Sequence, residues 1–558
     1  VNLISPFERA VGDRLRLTRR RVAAGSVLLA LAAAVSGCAS GSSPAAGTAA
    51  DLTTAKTSAG TVSGGTLVVG LTAANLPSAD TVLAGQQGNE GLRFVAYQLY
   101  DGLTRLDLDS TTATPQPQPD LATSWSANAD ATVWTFRLRT DVAFTDGTPF
   151  NADAVIFNLD RYFDADSPFA DPSIQGLAAS YVPGVASFRA LDADTVEITT
   201  RTPDAGFPED AANLFMASPT AVRKSGNDGF ASSPVGTGPF VYEGSANNQL
   251  TMAANPRYWA GAPKLDKVVL KPIPDSAQRT AALRSGSVNW VEDPNPDDLA
   301  GLKDAGFQVL SNSYDHDWTW VFNLQAGPLG KAQVRRALNY GIDRATMSSD
   351  LLHGTGNASY QVAPVSNSAY SKSNDLYSYD PDKAKKLLAE AGYPDGFSLT
   401  VEYPTAGSGN MIPTPMNEEL QADLAKIGVE VKLLPTEWAT LLTQYQSGKF
   451  APGVDALNIS LPFNQEAIWS EAFGTGGVIN AGGYSNPHVD ELIAEAQKTV
   501  DSDKRYAILQ TVAGLVTRDA PWLFIVNDRA PRAMAPSVHN FTQPKAWFID
   551  LTKASVSN

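Results

Sequence analysis

Residues 121–162, LATSWSANADATVWTFRLRTDVAFTDGTPFNADAVIFNLDRY, read as strand, turn and helix without a gap, and no other stretch limits the fold as tightly. Trp134, Phe136 and Leu138 alternate with Thr135, Arg137 and Arg139, the period of a strand with one buried face. Asp146-Gly147 supplies a turn, because glycine tolerates positive φ where other residues clash. Asn151 is placed to cap the helix that follows, in which Ala152, Val155, Ile156 and Leu159 share one face.

At 558 residues the chain is too long for a single hydrophobic core, so two or three packed units are expected. Acidic residues outnumber basic ones by 58 to 42, for a formal charge of −16. Such a surface repels phosphate backbones, which argues against a nucleic-acid partner.

Residues 1–38 have the make-up of an export signal. Arg19, Arg20 and Arg21 precede an uncharged run from Val22 to Val35, and Val35-Ser36-Gly37-Cys38 resembles a lipobox. That run is shorter than the roughly 20 residues a membrane-spanning helix needs. Cys38 is the only cysteine, which excludes an internal disulfide and marks it as the expected lipidation site. Thr18-Arg19-Arg20 also resembles a twin-arginine signal, leaving the export route open. Residues 39–65 are mostly Ala, Gly, Ser and Thr and are expected to form a flexible tether.

Beyond residue 65, Thr66 to Gly70 suits a buried strand, residues 164–190 give weak signals, and Asp194 to Thr200 alternates as a strand. After Trp290, helices alternate with strands as in a second α/β unit. Val334, Ala337, Leu338, Gly341 and Ile342 follow a helical period; Asp380-Pro381 opens a helix that Gly392 ends. Another helix is expected over 418–427, one capped by Thr436, one from Asn486-Pro487 and one over about 503–518.

Five motifs in order, DGTPF leading into its helix, GTGPF at 236–240, NPRYWAG at 255–261, VRRALNYGID at 334–343 and YDPDKAKKLLAEAGY at 379–393, resemble the extracellular solute-binding proteins of family 5. The resemblance covers roughly 66–550. It implies an α/β, bilobal periplasmic-binding-protein-like fold of class II type with an extra subdomain in lobe one. The expected division is lobe one at 66–290, its subdomain at about 105–195, lobe two at 291–524 and a return to lobe one at 525–558. It further implies a lipid-anchored receptor, monomeric, on the outer face of the cytoplasmic membrane, that hands a solute to the permease and ATPase of an ABC importer. Peptide is the favoured solute class. Oligosaccharide and metal chelate are alternatives; a secreted hydrolase or a sensor lipoprotein are alternatives of another kind.

No G-x-S-x-G, H-E-x-x-H, C-x-x-C or phosphate-binding G-x-x-x-x-G-K-[ST] is present, so no enzyme and no cofactor is expected. His316, in Tyr314-Asp315-His316-Asp317, offers imidazole beside carboxylates but in no recognised metal spacing. Candidate ligand contacts fall in two stretches. In the first, Trp318 and Trp320 alternate onto one face ahead of Asn323, and the resemblance implies that the Phe322-Asn323 pair borders the cleft. The second is Ala456 to Trp469, with Asn458, Asn464, Glu466 and Trp469. In peptide-binding relatives an aspartate in this segment pairs with the peptide amine. No aspartate occurs here, and Glu466 is the candidate replacement.

Overall fold

The structure is a computed structural model that describes residues 52, 54–407, 409–463 and 466–557. Cys38 and Asn464 lie outside the described residues. Two large mixed sheets organise the chain. The first runs Gln308–Leu310, Arg532–Met534, Trp290–Glu292, Thr66–Leu71, Lys267–Pro272, Gln249–Ala254 and Phe240–Ala246 in spatial order. Thr66–Leu71 is parallel to both neighbours, with Val68 opposite Val269 and Val69 opposite Trp290. The second runs Gly356–Ala358, Trp522–Asp528, His316–Phe322, Ala456–Pro462, Phe397–Pro404 and Val429–Thr436.

His316–Phe322 lies inside that second sheet, antiparallel to both neighbours, and every residue of it is buried. Helices on both faces are the reason. Trp318 and Trp320 pack with Val334 and Leu338 on one side and Met416 and Leu420, while Val321 on the opposite face packs with Leu441, Leu509 and Val512.

A separate four-stranded antiparallel sheet, ordered Ala122–Ala127, Val133–Leu138, Thr195–Thr200 and Val185–Asp192, forms the extra subdomain. Trp134, Phe136 and Leu138 are buried as their alternation predicts. Gly147 takes φ +86°, and Asn151 accepts from the Ala154 N–H at the start of helix Ala152–Phe163. The weakly patterned stretch after it contains helix Pro172–Tyr181, capped by Asp171, and most of the outer strand.

In the second lobe, Asp380 caps helix Pro381–Glu390, Gly392 follows at φ +93°, and Asn486 caps Pro487–Lys498. The helix expected over 418–427 is Pro413–Ala425, its proline occupying the first turn where no N–H is needed. Helix Trp438–Gln446 is capped by Glu437, which accepts from the N–H groups of Ala439 and Thr440, and not by Thr436, whose hydroxyl donates to Glu402. The tether reading also stops short. From Leu52 onward the described part is docked on the first lobe: Thr57 N–H donates to the Phe541 carbonyl, Gly60 N–H to Asn540 and Gly64 N–H to the Lys264 carbonyl. Small side chains offer little to bury, but backbone pairing does not depend on them.

The chain passes between the two sheets twice, at 311–315 and 529–531. Beside both crossings sits one buried carboxylate. Glu292 Oε2 lies 2.6 Å from Arg93 Nη2, and Oε1 lies 2.8 Å from Arg532 Nε while accepting from Trp290 Nε1 at 2.9 Å. Burial works to raise its pKa, yet Arg532 and Arg93 outweigh that and hold it below the usual carboxylate range. Next to it Tyr314 Oη donates to Asp528 at 2.6 Å, and Asp528 accepts from Ala530 N–H at 2.7 Å, fastening one crossing to the other.

The subdomain touches the second lobe through a Glu- and Asp-rich seam. Ala205 N–H donates to the Gln497 carbonyl at 2.9 Å, and Glu466 lies against Gly206 while accepting from Arg505 Nε at 2.5 Å. Burial first, and then the Glu466 charge, push Asp204 up to about 7 and Glu209 up to about 8.

Two outcomes follow from these contacts. Glu292→Gln removes the carboxylate with which both buried guanidinium groups pair, and urea unfolding is expected to show a loss of about 3–5 kcal/mol. Because Asp204 and Glu209 are raised on folding, the folded chain binds more protons than the unfolded one, so their contribution is present at low pH and is lost as pH rises through about 7 to 8. Calorimetric melting between pH 6 and 8 is therefore expected to fall less steeply in Glu209→Gln than in the parent chain, with the variant the more stable of the two at pH 8.

Candidate functional site

Between the lobes lies a cavity of about 120 Å³. Its second-lobe wall comes from Trp438, Leu442 and Tyr445 on helix Trp438–Gln446, from Ser460 to Pro462 at the end of strand Ala456–Pro462, and from Ile468 and Glu471 on helix Ala467–Phe473. Asn89, Ser180 and Tyr181 close it from the first lobe. His316, at the start of its strand, and Trp547, from the C-terminal return, complete it beside the crossings.

That end of the cavity is a stack of rings. His316 packs on Tyr314 (5.1 Å between centroids, 15° between planes) and on Trp547 (4.7 Å, 25°), and those two rings also touch, at 5.2 Å. The Arg93 guanidinium sits 4.5 Å from the Trp547 ring and donates to its carbonyl at 3.1 Å. Burial, and secondarily the Arg93 charge, push His316 down to about 3, so its imidazole is neutral at ordinary pH.

A loop presses two glycines onto these rings. Gly407, at φ +109°, is so close to Trp438 that a Cβ would lie 2.3 Å from Cγ of the indole. Gly409, at φ +73°, leaves a Cβ no room either, at 2.4 Å from His316 Cε1 and 2.8 Å from Trp547 Cη2. Only a residue without a side chain fits at either point.

The wall residues carry polar atoms that the protein leaves unmatched. Trp438 Nε1, Tyr445 Oη, Trp547 Nε1 and His316 Nδ1 are buried with no hydrogen-bond partner among the described residues. Leaving one such group unpaired costs about 1–3 kcal/mol, and all four belong to residues of this one wall.

A second, smaller cavity of about 90 Å³ shares Ala467 and Glu471 with the first and opens against Asp204 and Gly206 of the subdomain. Helix Ala467–Phe473 is the partition between them.

The residues singled out from sequence fall in three places. Glu466 and Trp469 line the smaller cavity, with Glu466 already engaged by Arg505. Trp318, Trp320 and Asn458 are wholly buried in the second lobe. Trp320 Nε1 donates to Asn417 Oδ1 at 2.8 Å, Asn417 Nδ2 to Asn458 Oδ1 at 3.0 Å, and Asn458 Nδ2 to the Thr319 carbonyl at 3.1 Å, which satisfies the chain internally. Asn323 accepts from Gln325 N–H and closes a turn. Strand alternation divides the Tyr314-Asp315-His316-Asp317 motif. His316 joins the ring stack, whereas Asp315 accepts from Asn367 at 2.8 Å and Asp317 accepts from Asn527. Among the described residues no group of three His, Cys, Asp or Glu is gathered to hold a metal ion.

Trp438, Tyr445 and Trp547 were not singled out from sequence. Trp438 and Tyr445 stand seven apart on one helical face, a spacing indistinguishable from ordinary core packing. Trp547 lies in a return segment with no period to place it.

Comparison with known proteins agrees with this architecture. The sequence profile described as bacterial extracellular solute-binding proteins, family 5, middle region, matches residues 116–477. Heme-binding protein A of Haemophilus influenzae is 30% identical over 468 residues, covering 80% of this chain and 84% of its own length. Glutathione-binding protein GsiB of Escherichia coli (strain K12) is 29% identical over 479 residues, covering 83% and 90%. The periplasmic binding protein DppA of Helicobacter pylori, solved with the peptide STSA, superposes with a TM-score of 0.77 over 89% of this chain and 99% of that one; at 24% identity the likeness speaks to fold. With a profile match over more than half of its residues, the chain belongs to the bacterial extracellular solute-binding proteins, family 5.

Proposed function

We propose that this chain is the lipid-anchored receptor of an ABC importer, which encloses a small solute between its lobes and presents it to the permease. Family 5 members are receptors and not enzymes. The observation that carries the reading is the interlobe cavity, walled by residues of both lobes and of the C-terminal return, beside two crossings that on this reading form a hinge. We assign ligand contact to His316, Trp438, Tyr445 and Trp547, with Gly407 and Gly409 shaping the space around them. On this reading Trp318, Trp320 and Asn458 stiffen the sheet from which the wall is hung. Relatives are named for heme and for glutathione, and a structural neighbour holds a tetrapeptide, so kinship supports a small solute without choosing its class.

Attachment through Cys38 at the outer face of the cytoplasmic membrane is part of the proposal, supported by the lipobox-like Val35-Ser36-Gly37-Cys38. So is a monomeric receptor.

Native mass spectrometry of the chain purified from its own cells is expected to show one bound small molecule. Its removal is expected to enlarge the radius of gyration in solution X-ray scattering, and its return to restore the smaller value. A radius that ignores the bound molecule sinks the receptor reading. Cys38→Ser is expected to move the protein from the membrane fraction to the soluble extracytoplasmic fraction; unchanged membrane retention sinks the anchor.

A further inference from the structure

We infer that the acidic seam between the first lobe's subdomain and the second lobe is a proton-operated latch, which holds the lobes together in acid and lets them part as pH rises. The inference rests on the receptor reading above, because a latch needs lobes that open.

The seam joins two firmly held surfaces. On the first lobe, Asp204, Glu209 and Asp210 stand on the loop and short helix that follow strand Thr195–Thr200. Trp134 of the subdomain sheet fixes that segment: its Nε1 donates to the Asp204 carbonyl at 3.2 Å, and its ring stacks on Phe207. On the second lobe, Glu466 and Glu471 stand at the entry of helix Ala467–Phe473 and within it, and Arg505 and Tyr506 on helix Ser502–Asp519. The surfaces meet where Ala205 N–H donates to the Gln497 carbonyl at 2.9 Å, and at Gly206, where a Cβ would lie 3.2 Å from Glu466 Cβ. The cavity of about 90 Å³ runs along this contact, with Asp204 on one side of it and Glu466 and Glu471 on the other.

Charge at the seam is out of balance. Arg505 is the cation that acts on Asp204 and Glu209, and its hydrogen bonds are all made within its own lobe: Nε donates to Glu466 at 2.5 Å, and Nη1 to the Thr499 and Val500 carbonyls, each at 3.0 Å. Burial holds the Tyr506 hydroxyl protonated, so it adds no charge. Asp204 accepts from Gly206 N–H inside its own loop, and Asp210 Oδ1 is buried with no partner among the described residues. When every carboxylate is ionised, like charges from the two lobes face each other across the contact, an arrangement that opposes docking.

Protons relieve it. With the lobes together, burial first and the Glu466 charge second push Asp204 up to about 7 and Glu209 up to about 8, and Arg505 does not reverse either. Burial likewise raises Asp210, with further pushes from Asp204, Glu209, Glu466 and Glu471. With the lobes apart, Asp204 and Glu209 return to water, where carboxylates titrate near about 4. The docked form therefore holds protons more tightly than the open one. Its advantage is complete in acid below about 4 and is lost as pH rises through about 7 to 8. Each unit of difference between the two forms changes the ratio of closed to open chains by up to about tenfold.

The test is a distance measurement by pulsed electron spin resonance on the full chain, freed of bound solute, with spin labels at Ser187→Cys of the subdomain and Glu495→Cys of the second lobe, both exposed positions. Cys38→Ser removes the only native thiol. The closed-to-open ratio is expected to be at least about tenfold higher at pH 5.5 than at pH 8.5. Asp204→Asn and Glu209→Gln, each placing a neutral amide where a protonated acid would sit, are each expected to cut that change by about threefold or more and to raise the closed fraction at pH 8.5. A ratio that is equal at the two pH values, or higher at pH 8.5, overturns the latch. So do variants that keep the parent's full response. A label distance that shortens when the co-purifying molecule is returned, but ignores pH, overturns the latch and leaves the receptor standing. A distance that ignores both counts against the receptor itself.

Discussion

A single buried carboxylate, Glu292, pairs with two arginines brought from opposite ends of the chain, Arg93 and Arg532. Taking three ions out of water is costly, and the arrangement holds only because each charge finds an opposite one at hydrogen-bond distance. Its position matters more than its strength. Arg93 also supports the Trp547 indole, Trp290 donates to the same carboxylate, and both crossings run alongside. The two crossings, the ring cluster and the first sheet therefore share one electrostatic centre.

The local grammar of the chain was open to reading. Alternation at Trp134, Phe136 and Leu138, the turn at Gly147 and the cap at Asn151 all stand as the residues dictate, because each depends on neighbours within a few positions. Caps at Asp380 and Asn486 were legible for the same reason. The bilobal α/β architecture came from the order of five motifs, which periodicity alone does not supply.

What escaped were matters decided at long range. Trp318 and Trp320 sit on an alternating face, but helices cover both faces of that sheet, so alternation cannot say which face meets a solute. The first sheet continues through Gln308–Leu310, past the change of style at Trp290, because strands are recruited by their partner Arg532–Met534 from far along the chain. Thr436 and Glu437 are both able to cap, and contact with Glu402 takes the threonine out of contention. The cavity wall escaped for the same reason, since Trp438, Tyr445 and Trp547 are brought together only when distant parts of the chain pack.

Trp547 follows every strand of the two large sheets, yet it lines the interlobe cavity and stacks on the ring that begins the second lobe's central strand. A polypeptide emerging from a ribosome, or threaded through a translocation pore with its N-terminus leading, can complete both sheets' strand inventory before this indole is available. Of the residues assigned to ligand contact, Trp547 is thus the last to be supplied to a chain that folds from its N-terminus.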